Sequence, residues 1–148
     1  MATICNISAN LPVAVNILFE QILEEMAHYD VQRLVHIMSR FAQASCPDAA
    51  LSTSSVRLLS LHVMSASMRF MTSSQLIQEL PKVVSAAVTS LNNSLVDLRK
   101  ASIFVLVEVY LVVGDALYPF LADLTPPQRK LLTIYVERRM KERRDMNS

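Results

Sequence analysis

One glycine, Gly114, occurs in the whole chain, and that scarcity limits the fold more than any other single feature. Tight hairpins and phosphate-cradling loops both use left-handed backbone positions, which glycine occupies at little steric cost. A chain of 148 residues nearly without them is ill suited to a β-rich fold and to P-loop or Rossmann-type nucleotide sites. Helices joined by short turns remain. Apolar residues make up 52% of the chain and tryptophan is absent, so the core must come mainly from Leu, Val, Ile, Met and Ala. Such side chains suit interlocked helices. The length fits a single domain over 1–148, with enough chain to bury a core.

Apolar residues recur at three- and four-residue steps along most of the chain, the mark of helices with one buried stripe. Asn10 caps a first helix with Leu11, Val15, Leu18, Ile22 and Met26 in its stripe, and Asp30 caps a second through Val31, Leu34, Val35, Met38, Phe41 and Ala42. Ser45-Cys46-Pro47-Asp48 is a turn. A third helix from about Ser54 to Met71 has two stripes, Val56, Leu59, Val63, Ala66, Phe70 and Leu61, Met64, Met68, as expected of a helix packed on two sides. Its methionines suit either core filling or an adaptable binding groove, the first being favoured. The fourth helix begins near Ser73 or Ser74 with Leu76, Ile77, Leu80, Val83, Val84, Ala87, Val88 and Leu91, and Pro81 should kink it. Asn92-Asn93-Ser94 is the next turn. The fifth helix, Leu95 to Val113, is apolar almost all round beyond Ser102 and is expected at the centre of the core. Composition alone also allows a strand over Val105 to Val113, but that run lies within a longer helical pattern. A short helix over Ala116 to Ala122 precedes a last helix that opens with the capping box Thr125-Pro126-Pro127-Gln128. Leu131, Leu132, Tyr135 and Val136 should face inward there, and the helix should reach about Glu142.

Helix pairs lie over one another in sequence. Ser55-Val56-Arg57-Leu58-Leu59 matches Asp97-Leu98-Arg99-Lys100-Ala101, and Ala14-Val15-Asn16-Ile17-Leu18 takes the same place in the first helix. Asn16, Arg57 and Arg99 are 41 and 42 residues apart, and Leu34 and Met38 align with Leu76 and Leu80. That spacing falls in the HEAT range of roughly 40–47 residues. The expected fold is therefore all-α, an α-solenoid of HEAT-type helix pairs with six or seven helices, its repeats spanning roughly 10–44, 54–91 and 94–143.

Charge is distributed unevenly. Residues 1–30 hold Glu20, Glu24, Glu25 and Asp30 with no Lys or Arg, a balance of −4, whereas 126–148 hold seven basic groups against three acidic ones, a balance of +4. As a nucleic-acid footprint for a whole domain this is weak; as a local docking patch it is plausible. An acidic first helix and a basic last one also favour a two-fold homodimer that sets one against the other. Cys5 and Cys46 form no metal or disulfide pattern and read as buried thiols of a cytosolic protein. The opening residues lack a secretory signal, and Ala101 to Val113, interrupted by Glu108, falls short of the roughly twenty residues of a bilayer span. His28, His36 and His62 are not at ligand spacing, and no nucleophile elbow is present, so neither a metal, a cofactor nor catalysis is expected.

Leu76-Ile77-Gln78-Glu79-Leu80-Pro81, followed by Leu98-Arg99-Lys100-Ala101-Ser102-Ile103-Phe104-Val105-Leu106-Val107, resembles the last full HEAT repeat of the CLASP family. Gly114-Asp115-Ala116-Leu117-Tyr118-Pro119-Phe120-Leu121, Leu124-Thr125 and Lys130-Leu131-Leu132-Thr133-Ile134-Tyr135 continue the resemblance in order. It is clearest over 76–139 and weaker but co-linear over 10–75. The chain holds fewer repeats than the family's domain usually has, as expected of either a fragment of a longer solenoid or a shortened domain.

The resemblance implies a non-catalytic, TOG-like interaction module, similar to the C-terminal domain of microtubule-stabilising CLASP proteins. It implies adaptor partners (CLIP-type plus-end trackers, kinetochore and cortical anchors), contact with microtubules through the full-length protein, and a cytoplasmic place on microtubules, spindle and kinetochore. Arg57 and Arg99 would correspond to the arginine that bonds turn groups between HEAT units. Tubulin-binding TOG domains present Trp and Lys or Arg on turns that here, at Cys46-Pro47-Asp48 and Asn92-Asn93-Ser94, have neither. The candidate protein-binding residues are Arg138, Arg139, Lys141, Arg143 and Arg144. They serve adaptor docking in the leading reading and direct binding to the acidic microtubule lattice in the alternative. A plain solvated helix end, where basic groups complement the dipole, would carry the same residues.

Overall fold

A computed structural model describes residues 21, 30–40, 42 and 54–146, and among them every regular element is helical. The predicted first helix, the turn at Cys46, both cysteines, Asn16 and His28 lie outside the described residues. Helix α1 covers 30–40, and Asp30 Oδ1 accepts from Arg33 N at 3.0 Å, the bond of an N-cap. Helix α2 covers Ser54–Ser67 and tightens into a 3₁₀ turn over Met68–Phe70. Helix α3, Ser73–Leu91, is assigned without a break through Pro81. Its cap is Thr72, which exchanges hydrogen bonds with Gln75 in a capping box. Helix α4 covers Val96–Val113 and passes into a 3₁₀ segment, Gly114–Leu121. Helix α5 covers Pro126–Met146 and opens on the predicted box, with Thr125 N donating to Gln128 Oε1 and Gln128 N to Thr125 Oγ1. Val105 to Val113 is helical, so the strand alternative is excluded.

Helices equivalent in the sequence repeat are neighbours in space. α2 packs beside α4, and α1 meets α3 through His36 Nδ1 and Glu79 Oε2, 2.9 Å apart across 43 residues of chain. Gln32 Nε2 adds bonds to Gln78 Oε1 and Glu79 Oε1. Two such layers, joined by the pairing of α3 with α4, make an all-α solenoid. The last unit departs from the pattern: the 3₁₀ segment packs on α3, while α5 packs on α4.

Helix α4 contacts α2, α3, α5 and both 3₁₀ segments, and Val105, Leu106 and Val109 are fully buried. Met64 and Met68 are also fully enclosed, so these methionines fill the core. The enclosure of α4 is incomplete, however. Val96 and Phe104 are 52% and 50% exposed, because they border the open groove between α4 and α5. Two other expectations need correction. Ile77, assigned to the α3 stripe, is exposed, and so is Leu131. Helix α5 has α4 on one side only, and Leu132 and Val136, four residues apart, take the buried positions. Leu131 stands about 100° round the helix from Leu132 and is left outside.

Gly114 ends α4 at φ 63° and ψ −135°, a backbone region open to glycine and costly for other residues. The one glycine therefore sits where the chain turns out of its central helix. Taken together, α4 and the 3₁₀ segment (Val96–Leu121) are long and apolar enough to cross a membrane by length and composition, a longer stretch than the Ala101 to Val113 run isolated from sequence.

Candidate functional site

Three arginines tie their helices to neighbouring backbone. Arg57 is buried; its Nε donates to Ala42 O at 3.2 Å and its Nη2 to Ser90 Oγ at 3.1 Å. Arg99 Nη1 donates to Asn93 O and Ser94 O at 3.0 and 2.7 Å. Arg129, which sequence reasoning passed over, does the same with Leu121 O and Ala122 O. Arg99 and Arg129 each aim one Nη group at two successive carbonyls in the turn or 3₁₀ segment before their helix, whereas Arg57 spreads two nitrogens between a carbonyl and a hydroxyl. Burial lowers the pKa of Arg57, a guanidinium that nevertheless stays charged.

The five basic residues singled out on the last helix divide into two groups. Arg138 and Arg139 are tied to the body. The Arg138 guanidinium lies over the Tyr135 ring at 5.3 Å, and Arg139 Nε stands 3.4 Å from Glu108 Oε1 on α4. Arg139 also reaches Glu142 Oε2 at 3.4 Å. Lys141, Arg143 and Arg144 are exposed in the final turns, beyond the apolar part of α5.

Tyr135 links this basic helix to an exposed aromatic of α4. Its ring meets Phe104 edge-on, with centroids 5.9 Å apart and planes at 67°. Phe104 stands on a ridge between two concavities. One, of about 550 Å³, lies between α4 and α5 and is bordered by Arg99, Lys100 and Arg138. The other, of about 610 Å³, lies among α2, α4 and α5, with Arg69, Arg138 and Arg139 beside Glu108 and Glu142. His62 stands at the mouth of the second cavity. Its residue surface is open, yet its ring is partly desolvated by the walls, which lowers its pKa against the opposing pull of Asp97. The periodicity of α4 could not single out Phe104, since apolar residues surround that helix on every side. No cluster of potential metal ligands occurs among the described residues.

The turn between α3 and α4 is taken up by internal hydrogen bonds. Gln128 Nε2 donates to Asn92 Oδ1, Leu95 N donates to Asn93 Oδ1, and Arg99 occupies the two following carbonyls.

No protein-family model matches the chain. It is 32% identical over 93 residues to CLIP-associating protein 1-B of Xenopus laevis and 31% identical over 93 residues to CLIP-associating protein 1 of Xenopus tropicalis. Each alignment covers 63% of this chain. The chain is a relative of the CLASP family. A CLIP-associated protein of Arabidopsis thaliana matches at 33% identity over 64 residues, 43% of this chain and 4% of its own length. The chain spans 6% of the length of the frog CLASP proteins it matches. The similarity therefore concerns one short segment of those much longer relatives.

Proposed function

We propose that this solenoid is a non-catalytic protein-docking module of a CLASP-like, microtubule-associated protein, equivalent to the C-terminal domain of that family. The observation that carries the reading is the Phe104–Tyr135–Arg138 ridge. Aromatic and arginine side chains, half exposed and held in place by one another, are the composition of interface hot spots. The module's work is to bring the longer protein to cytoskeletal adaptors (plus-end trackers of the CLIP type, kinetochore or cortical anchors) or to pair two copies. Neither nucleic acid nor a bilayer is a partner in this reading. Helix α4 acts as a core helix, consistent with the helices on its several sides and with Asp97, Arg99, Lys100 and Glu108 along it.

A pull-down with the chain, its partners read by mass spectrometry, tests the proposal directly. Recovery of CLIP-type or kinetochore proteins supports it, and recovery of tubulin alone counts against it. The second reading, direct binding to the microtubule lattice, is favoured by the exposed Lys141, Arg143 and Arg144. Salt-sensitive co-sedimentation of the isolated chain with microtubules, lost when these three are changed to Glu, would replace the adaptor reading with this one. Light scattering separates adaptor recruitment from self-association: a dimer weakened by salt would support the pairing of the acidic first thirty residues with the basic last helix.

A further inference from the structure

The groove between α4 and α5 has a composition that selects its occupant. We infer that it is the seat of a helical segment of a partner protein whose apolar stripe is flanked by carboxylates. This inference rests on the docking reading above and specifies where and what the module binds. Juxtaposed in one groove are three exposed apolar side chains, Val96, Phe104 and Leu131, and three cations, Arg99, Lys100 and Arg138. No carboxylate lies among its lining residues, unlike the neighbouring cavity, where Glu108 and Glu142 hold Arg139.

The apolar content calls for side chains, and the cations define the sign of what must surround them. Val96 is 52% exposed, Phe104 50% and Leu131 42%, and burying them under a partner removes apolar surface from water. A volume of about 550 Å³ lies within the range of natural ligand clefts, roughly 300–1,000 Å³. Arg99 is held by the Asn93 and Ser94 carbonyls and Arg138 by the Tyr135 ring, so these charges need no ordering when a partner arrives. An acidic partner gains from them, and a basic one is repelled. The groove runs between two helices, and among the described residues there is no strand edge to which an extended peptide could add. An amphipathic helix anchored by its apolar stripe is the mode that such a surface supports.

The test uses the full chain and two labelled helical peptides about as long as α5, read by fluorescence anisotropy. Both carry the same Leu stripe; one has Glu on its flanks and the other Lys. The Glu peptide is expected to bind at least roughly tenfold more tightly, and its affinity to fall with salt. Phe104→Asp and Lys100→Glu should each weaken it by about tenfold or more. Lys100 is exposed, so Lys100→Glu should keep the circular dichroism and urea midpoint of the parent chain, while Phe104→Asp should keep the helical spectrum with a midpoint lowered only by the lost Tyr135 contact. Equal binding of the two peptides, or Glu-peptide binding that survives Phe104→Asp, overturns the assignment. A dimer that Phe104→Asp dissociates would give the groove to a second copy, which also overturns it. Adaptors captured equally by the parent chain and by Phe104→Asp would leave the docking function standing while removing this site. Glu-peptide binding of the expected pattern in a chain that recruits no adaptor would do the reverse.

Discussion

Arg57 Nη2 donates to Ser90 Oγ at 3.1 Å, joining the start of α2 to the end of α3, while Arg57 Nε reaches back to Ala42 O. One side chain thus ties Ala42 to the end of α3, and Ser90 Oγ closes the triangle on the same carbonyl at 3.4 Å. Arg99, 42 residues later, stands at the equivalent sequence position but bonds only the turn immediately before its own helix. The two therefore differ in what their removal leaves behind. Arg57→Ala should lower stability by about 1.5–3 kcal/mol, the scale of hydrogen bonds from a charged group to buried acceptors. Arg99→Ala, at a half-buried turn, should cost about 1 kcal/mol or less. Arg57→Lys keeps the charge and loses the fork, so it should resemble Arg57→Ala rather than the parent. Urea melts decide it, and equal losses at positions 57 and 99 would show that the longer reach of Arg57 contributes nothing.

Gly114→Ala isolates a backbone effect. A β-carbon at Gly114 would meet no heavy atom within 4 Å, so steric crowding from neighbours is absent. The positive φ of 63° remains, and a non-glycine residue in such a region costs on the order of 1–3 kcal/mol. A thermal melt unchanged by the substitution would mean that the α4 terminus relaxes to a negative φ at no cost.

Leu106 and Phe104 are two residues apart on α4 and should respond differently. Leu106 is fully buried and Phe104 half exposed. Leu106→Ala should cost about 2–5 kcal/mol, the range for buried leucines. Phe104→Ala forfeits its edge contact with Tyr135 and should cost about 1 kcal/mol. Reversal of that order in denaturant melts would place the core on the opposite side of α4.

These residues also show how far the sequence could be read. The stripes of α1, α2 and α3 were legible because each helix has a polar side to contrast with. Helix α4 offers no such contrast, so its period could not tell buried Leu106 from exposed Phe104; the distinction depends on where α5 comes to rest. Both capping boxes were present as Thr-x-x-Gln, yet only Thr125-Gln128 was recognised, because Ser73 and Ser74 offered competing caps beside Thr72. The His36–Glu79 contact was in principle accessible from the repeat. Leu34 aligns with Leu76, so position 36 falls opposite 78 and 79, and stacked units bring such positions together. Arg129 was less accessible, since the 3₁₀ segment interrupts the repeat just before it.

The α1–α3 junction gives the stability a dependence on acid with a definite sign. Burial of Glu79 works to raise its pKa, but bonds from His36 and Gln32 and the charges of His36 and Lys82 outweigh burial and hold the carboxyl below its ordinary value of 4.5. A carboxyl with a depressed native pKa binds fewer protons folded than unfolded, so stability rises with pH across the interval between the two values. The Glu79 contribution is complete above about pH 4.5 and is lost as the pH falls through the lower native value. Urea midpoints measured from pH 7 down to about pH 3 should therefore decline steeply below 4.5. In Glu79→Gln the neutral amide retains a bond to Gln32 but has no carboxyl to titrate. That variant should start from a lower midpoint at pH 7 and show a shallower decline below 4.5. His36→Ala should reduce the same acid limb, because it removes the partner that depresses the carboxyl. An acid limb of unchanged slope in both variants would show that the contact between the two helices carries no proton linkage.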